Sequence, residues 1–357
     1  VEVFVKELSK FKILAHMDRL KELVDTGDTK PITIEIDPIN VCNHKCVWCA
    51  DHKAIHGGEI LSLEFVRKVL KELKECGAKS VLFKGGGEPT LHPQLVNFVN
   101  TARDCGMKAA MLTNGSKLKN NESLQDCILK NMEYVRISLD APDEMLHRYW
   151  HRTKDWKTIL KGISQLSERK RDNGSSCLIG VNILYDPKTY KELPKGVRLA
   201  ESLGVDVLSF RKAYTTPYGF GNPWTAEALK EEREIRDHIR SMKHSLRHLM
   251  VDASRGEEIE DTSEDDLPYC LAVPLISVIC ADGCVYPCCD LRMVPEYRLG
   301  DLHKNTFLEI WHSEKRRQVM EKVRDKRCYG MCTHRFAYYN KMLNYLVDPD
   351  KPHVEIV

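Results

Sequence analysis

Two hydrophobic periods alternate along the first two thirds of the chain. Short β-branched or aliphatic runs at residues 32–36, 80–83, 108–112, 134–139, 178–184 and 205–210 are bounded by turn residues and predict strands. Between them, apolar residues recur at three- and four-residue spacing. Ser62 is placed to N-cap a helix whose apolar face holds Phe65, Val66, Val69, Leu70 and Leu73, and Gly77 closes it. Further helices are predicted over 94–104, 122–131, 155–170 and 193–203. Alternation of this kind implies a parallel sheet. Six strand–helix units in about 180 residues, against eight in about 250 for a closed barrel, predict an α/β fold with a partial (β/α)6 TIM-like barrel. An open sheet is the alternative.

Beyond residue 210 the pattern changes. Residues 214–224 are rich in aromatics, Gly and Pro, a charged helix is predicted over 226–250, and 257–266 is an acidic stretch without periodicity that reads as a solvated linker. A hairpin is expected at 276–280 and 284–288, turning at Asp282-Gly283, and a helix at 306–324. The expected division is a helical arm over 1–30, the barrel over 31–225, a helix and acidic linker over 226–268, and a small α+β domain over 269–357.

Composition narrows the function classes. Lys plus Arg is 54 and Asp plus Glu is 52, a formal net charge of +2, so nucleic acid is not expected as a partner. No run reaches the roughly 18 apolar residues of a membrane helix, and residues 1–12 lack the apolar centre of a secretory signal. The chain has 14 cysteines, and without an export signal thiols on that scale point to metal ligation in a reducing, cytoplasmic setting.

Seven cysteines lie in the first half and seven in the last 90 or so residues. Cys42, Cys46 and Cys49 follow the first strand. Three thiolates from one short loop leave one metal position open, which suits a cluster iron better than structural zinc; zinc completed by His44 or His52 is the rival. Strand two ends in Lys84-Gly85-Gly86-Gly87-Glu88-Pro89-Thr90, where three glycines let a backbone approach a ligand closely and the glutamate supplies an acceptor.

The Cys-x3-Cys-x2-Cys loop with Gly-Gly-Glu-Pro after the next strand resembles the radical S-adenosylmethionine (SAM) enzymes, over roughly residues 31–215. The resemblance implies that Cys42, Cys46 and Cys49 hold a [4Fe–4S] cluster whose free iron chelates SAM. It implies that Trp48 packs near adenine and that Gly86, Gly87 and Glu88 meet the methionine amino group. Ser138 and Asp140 would lie near ribose and carboxylate, Arg152 (or Arg148) on the carboxylate, and Asn182 and Arg211 in the same pocket. One electron from the cluster would cleave SAM to a 5′-deoxyadenosyl radical, which abstracts hydrogen from a substrate carbon. A flavodoxin- or ferredoxin-type electron donor follows from that chemistry.

The C-terminal cysteines resemble the family's twitch extension, a shortened SPASM domain. That likeness implies one auxiliary [4Fe–4S] cluster on Cys270, Cys288, Cys328 and Cys332, with Cys280, Cys284 and Cys289 unassigned; Cys284 is an alternative ligand and Cys280 reads as packing. A saturated cluster moves electrons, which suits oxidation, whereas epimerisation would need a hydrogen-atom donor, for which Cys289 is the candidate. Lys84, Asn182, Arg211, Tyr214 and Tyr218 are polar pocket candidates. With no room in 1–30 for a peptide-recognition domain, a small polar substrate such as a sugar, cyclitol or nucleoside is expected. A peptide-modifying maturase is the alternative, and a zinc-stabilised binding protein the second.

Overall fold

The computed structural model describes residues 10–49, 57–213, 224–242, 249–252, 269–325 and 334–347. Strands β1 (Thr33–Ile36), β2 (Ser80–Phe83), β3 (Lys108–Thr113), β4 (Tyr134–Ser138), β5 (Leu178–Tyr185) and β6 (Val207–Lys212) pair in sequence order, all parallel. Helices α2 (Leu63–Cys76), α3 (Leu95–Asp104), α4 (Glu122–Asn131), α5 (Glu144–His151), α6 (Trp156–Asn173) and α7 (Leu193–Leu203) stand between them. This is the partial barrel that the alternation predicts. Helix α2 starts and stops as expected: Ser62 accepts from the Phe65 N–H at 3.1 Å, and Gly77 ends it in the left-handed region at φ 91°.

Strand alternation sorts the side chains onto two faces. Ile34, Ile36, Val81, Phe83, Met111, Val135, Ile137, Val181, Ile183, Leu208 and Phe210 join the helix-side core with Val69, Leu70, Leu73, Phe98 and Ile163. The alternate positions form the other face. There the register aligns Glu35 with Leu82, Arg136 with Gly180, and Ser138 with Asn182 and Ser209. Polar and charged groups therefore collect on the face away from the helices.

The sheet is longer than six strands. It runs β10-β9-β8-β1-β2-β3-β4-β5-β6-β7. Strand β7 (Met250–Asp252) adds parallel to β6 where a helix was expected to continue to residue 250; α8 (Ala226–Ser241) stops short of it. At the other edge β8 (Ile276–Ile279) pairs parallel with β1, and the expected hairpin follows as β8 and β9 (Cys284–Tyr286), with β10 (Gly300–Asp301) antiparallel to β9. The single helix expected over 306–324 is two, α9 (Phe307–Trp311) and α10 (Glu314–Arg324). Ser313 breaks it by capping a new helix, accepting from the Arg316 N–H at 3.1 Å.

Residues near the N-terminus pack on the C-terminal part. Leu20 and Leu23 of α1 (Met17–Thr26) share a cluster with Leu271, Leu275, Ile276 and Leu343, the last on α11 (His334–Val347). Arg316 grips Asp28 through two bonds of 2.6 and 2.7 Å, and the Trp311 indole donates to the Thr29 carbonyl at 3.2 Å. No helix among the described residues is long and apolar enough to cross a membrane.

Helix α8 is locked to β5 and β6 by buried charge. Glu232 accepts from the Tyr185 hydroxyl at 2.6 Å and pairs with Arg236 at 2.8 Å and Lys212 at 3.7 Å. Glu232 and Arg236 are fully buried. Removing the carboxylate leaves two buried cations without it. Glu232→Ala is expected to destabilise the chain by about 3–5 kcal/mol, read as a lower midpoint in chemical denaturation.

Candidate active site at the cysteine loop

The loop that follows β1 is held from three sides, each by a segment at the C-terminal end of a neighbouring strand. After β2, the Gly87 and Glu88 amides donate to the Ile39 and Val41 carbonyls at 3.0 and 2.9 Å. After β3, Asn114 donates to the Asn43 side chain at 2.9 Å, and Asn43 donates to the Ser116 hydroxyl at 2.9 Å. After β4, the last turn of α5 accepts from the loop: Lys45 N–H to His151 O at 3.1 Å and Val47 N–H to Trp150 O at 2.9 Å. Helix carbonyls at a C-terminus lack intrahelical partners, and here the loop supplies them.

The loop brings Cys42, Cys46 and Cys49 together as half-buried thiols that form no disulfide among the described residues. Burial pushes the Cys46 thiol well up, and the nearby Asp140, Cys49 and Cys42 add to it. Cys42 is likewise raised by burial, although the His44 backbone N–H, 3.4 Å from its sulfur, works the other way. Thiols in this state bind metal by releasing protons. Three converging soft donors fit an iron–sulfur cluster with one iron open.

Glu88 is buried and heavily engaged. Its Oε1 accepts from Thr90 N at 3.0 Å, the Thr90 hydroxyl at 2.6 Å and the Thr113 hydroxyl at 2.6 Å, while among the described residues Oε2 accepts only from Asn114 N at 2.7 Å. Oε2 alone retains room for a further donor. Gly86 is buried. Gly87 lies so close to the loop that a Cβ there would sit 2.2 Å from the Val41 carbonyl oxygen.

Asp140 has a positive φ of 54°, unusual for a non-glycine. Its backbone N–H donates to Asn182 O at 2.9 Å, and its Oδ1 accepts from the Asn182 side chain at 3.0 Å. The Asn182 Oδ1 is buried without a hydrogen-bond partner, as is the Trp48 indole N–H. Trp48 packs on Trp150 with ring centroids 4.4 Å apart. Ser138 is half-buried and in register with Asn182; Arg211, also half-buried, lies in register with Leu184 on that same strand face. Arg152 goes elsewhere. It caps α5 in the left-handed region (φ 57°), is exposed, and its guanidinium lies 5.8 Å from the ring of Tyr149, which is itself exposed. Arg148 is exposed as well.

Instead of those arginines, α5 delivers histidines. His44, His147 and His151 are buried around Asp155. Asp155 receives His44 Nε2 at 2.8 Å and His147 Nε2 at 3.3 Å. Burial opposes the Asp155 charge, but the bonds from His147 and His44 outweigh it and hold the carboxyl well below the usual range. His151 Nδ1 lies 3.2 Å from both Cys46 Sγ and His44 Nδ1, and its Nε2 lies 3.4 Å from Asp140. This histidine group was not among the site residues expected from the sequence. The signal was His147 and His151 four residues apart, on one helix face, with a third histidine inside the cysteine loop. The ligand atoms of His44, Cys46 and His151 all lie within 4.8 Å of one another and could hold a divalent ion, but that set omits Cys42 and Cys49. His52 lies outside the described residues.

On the C-terminal side, burial drives the Cys288 thiol well up, and the charges of Asp290, Cys289 and Cys270 add to it. The Asn340 side chain donates to Cys270 Sγ at 3.5 Å and accepts from Ala272 N at 2.7 Å. Cys280 and Cys284 pack instead with Val278 and Tyr286. Cys328, Cys332, Tyr214 and Tyr218 lie outside the described residues. Cys289 reaches the barrel side, beside Lys84 and Glu35, which pair at 2.8 Å. Burial pushes its thiol up to about 12, against the pull of Lys84. Arg292 contacts both Asp37 oxygens at 3.2 Å, tying this segment to the end of β1.

Comparison with known proteins agrees with this geometry. Residues 36–200 match the radical SAM superfamily, and residues 270–334 match SPASM, described as an iron–sulfur cluster-binding domain. The chain is 24% identical over 319 residues to an AdoMet-dependent heme synthase of Methanosarcina barkeri, covering 82% of this chain and 86% of that protein. It is 22% identical over 298 residues to a tungsten-containing aldehyde ferredoxin oxidoreductase cofactor-modifying protein of Pyrococcus furiosus, covering 77% and 79%. Among solved structures, Streptococcus suis SuiB bound to S-adenosylmethionine superposes with a TM-score of 0.66 at 17% identity, covering 94% of this chain and 79% of SuiB. SuiB bound to its precursor peptide SuiA gives 0.65 at 16% identity, covering 99% and 82%. At such identity these structures establish the fold. The two matched domains imply a [4Fe–4S] cluster, bound SAM and auxiliary iron–sulfur ligation. With its cysteine loop anchored at the mouth of a partial barrel and a cysteine-rich segment sharing the same sheet, the chain carries a radical SAM domain and a C-terminal SPASM iron–sulfur domain.

Proposed function

We propose that this chain is a maturase that installs a modification in a peptide or protein by radical chemistry. In this reading Cys42, Cys46 and Cys49 hold the SAM-binding cluster, and Cys270, Cys288, Cys328 and Cys332 hold one auxiliary cluster. The observation that carries it is the likeness, over 99% of the chain, to an enzyme solved with a precursor peptide. It departs from the small polar substrate expected from the sequence. When bound, the loop cluster supplies the electron that cleaves SAM, and a flavodoxin- or ferredoxin-type protein supplies electrons in turn.

The chain's own residues do the positioning. Glu88 Oε2 is free to accept from the amino group of SAM, and Asn182 Oδ1 offers an acceptor on the same side of the barrel as Ser138. Trp48 covers the loop against Trp150. Cys289 is the candidate hydrogen-atom donor in this reading, which is supported by the burial that raises its thiol pKa and by its position beside Lys84. If it donates, turnover in deuterated water puts deuterium on the product carbon, because a thiol exchanges with solvent; a plain oxidation leaves none there.

The polar face that carries Glu35, Lys84, Arg136 and Asn182 favours a second reading, a small polar metabolite. The test is anaerobic production of 5′-deoxyadenosine together with the mass of short peptides encoded beside this gene and co-expressed with it. A peptide mass shift that disappears in the Cys42, Cys46, Cys49 triple Ala variant is the expected result. Stimulation of 5′-deoxyadenosine formation by polyols or nucleosides, with peptide masses unchanged, would transfer the assignment to the second reading.

A further inference from the structure

We propose that His151 donates a hydrogen bond to the Cys46 sulfur and so raises the reduction potential of the cluster held by the cysteine loop, with His44, His147 and Asp155 fixing its ring. The proposal rests on the assignment of Cys42, Cys46 and Cys49 as ligands.

The charge of a ligating cysteine identifies the donor. A cysteine that holds a cluster is a thiolate, which carries no proton and can only accept. His151 Nδ1 lies 3.2 Å from Cys46 Sγ, so with the cluster bound that nitrogen is the donor. It also lies 3.2 Å from His44 Nδ1, and His44 Nε2 meets Asp155 at 2.8 Å.

The ring has little freedom to leave. His151 is 1% exposed and His147 fully buried, and their rings stack at 4.3 Å. His147 Nε2 meets Asp155 at 3.3 Å, and His151 Nε2 lies 3.4 Å from Asp140. The backbone of His151 is tied to the loop as well, through its carbonyl and the Lys45 amide. Helix α5 therefore positions both the loop and the donor to its central cysteine.

Hydrogen bonds to cluster sulfurs stabilise the reduced, more negative state and raise the potential. The effect expected for one such bond is about tenfold in the reduction equilibrium, about 59 mV for one electron. The experiment is a redox titration of the reconstituted holoenzyme followed by electron paramagnetic resonance. The loop cluster is recognised as the signal that changes on adding SAM. His151→Leu is expected to lower its potential by that amount, while His151→Gln, which keeps an N–H donor, stays closer to the native value. Asp155→Asn shifts it in the same direction by less. An unchanged potential in a fully loaded His151→Leu protein would overturn the proposal. Should that variant fail to load, the native protein grown with 15N-histidine decides: a histidine nitrogen coupling on the SAM-sensitive signal is expected, and its absence rules the bond out. The ligand assignment fails separately, if the SAM-sensitive signal survives in the triple Ala variant.

Discussion

Changing Cys42, Cys46 and Cys49 together to Ala is expected to lower the iron content after anaerobic reconstitution from about eight to about four per chain and to abolish 5′-deoxyadenosine formation. The size of the effect follows from the proposed ligand counts, three thiolates in the loop and four in the C-terminal segment. The variant is informative because most of the loop's described ties do not pass through its cysteine sulfurs. Its ties are the amides of Lys45 and Val47 to α5, the carbonyls of Ile39 and Val41 to Gly87 and Glu88, and the Asn43 side chain to Asn114 and Ser116. All of these survive the substitution. A loss of iron therefore reports ligation and not collapse. Iron and sulfide analysis checks the first half and chromatography of the SAM cleavage products the second. Zinc with negligible iron in the unaltered protein would remove the radical mechanism altogether.

Gly87→Ala is expected to cost almost as much by a different route. The added Cβ would meet backbone on every side: 2.2 Å from Val41 O, 2.6 Å from Ile39 O and 2.6 Å from Val41 N. None of these is the free end of a side chain that can swing away. The two strands of loop must separate, and the bonds of 3.0 and 2.9 Å that join them go with the movement. Overpacking of this kind costs about 1–3 kcal/mol, and it falls on the segment that presents Cys42. We expect loss of the loop cluster with retention of the C-terminal iron, alongside a lower thermal midpoint. Gly174→Ala is the control. Its φ of +63° strains an alanine, but nothing lies within 4 Å, so only a modest loss of stability with full iron content is expected. A Gly87→Ala protein that loads and cleaves SAM like the parent would refute this account of the glycine.

That glycine shows where sequence reading and structure part. A run of three glycines after a strand signals close approach, and the sequence does not say to what. Backbone approaching a ligand and backbone approaching the cysteine loop look the same in one dimension. The arginines of 148–152 raise the same difficulty. A charged residue there was expected on the SAM carboxylate, yet Arg148 and Arg152 are exposed, and His147 and His151 turn inward from the same helix. Helix α5 is eight residues long, too short for its period to stand out, so its inward face could not be chosen in advance.

What the sequence determined by itself is local or repetitive. The six strands and most of their helices follow from the two hydrophobic periods, because each element needs only its own apolar face to be recognised. The cysteine spacings carry their chemistry directly, since three thiols within eight residues of one short loop can converge on a single point. What the tertiary structure decided is long-range. Pairing of β8 with β1 joins residues more than 200 positions apart and sets Cys289 beside Lys84. The same is true of β7, a three-residue strand that exists because β6 offers it an edge. The histidine group around Asp155 needs the loop after β1 and the segment after β4 to meet, and only the curvature of the parallel sheet brings them together.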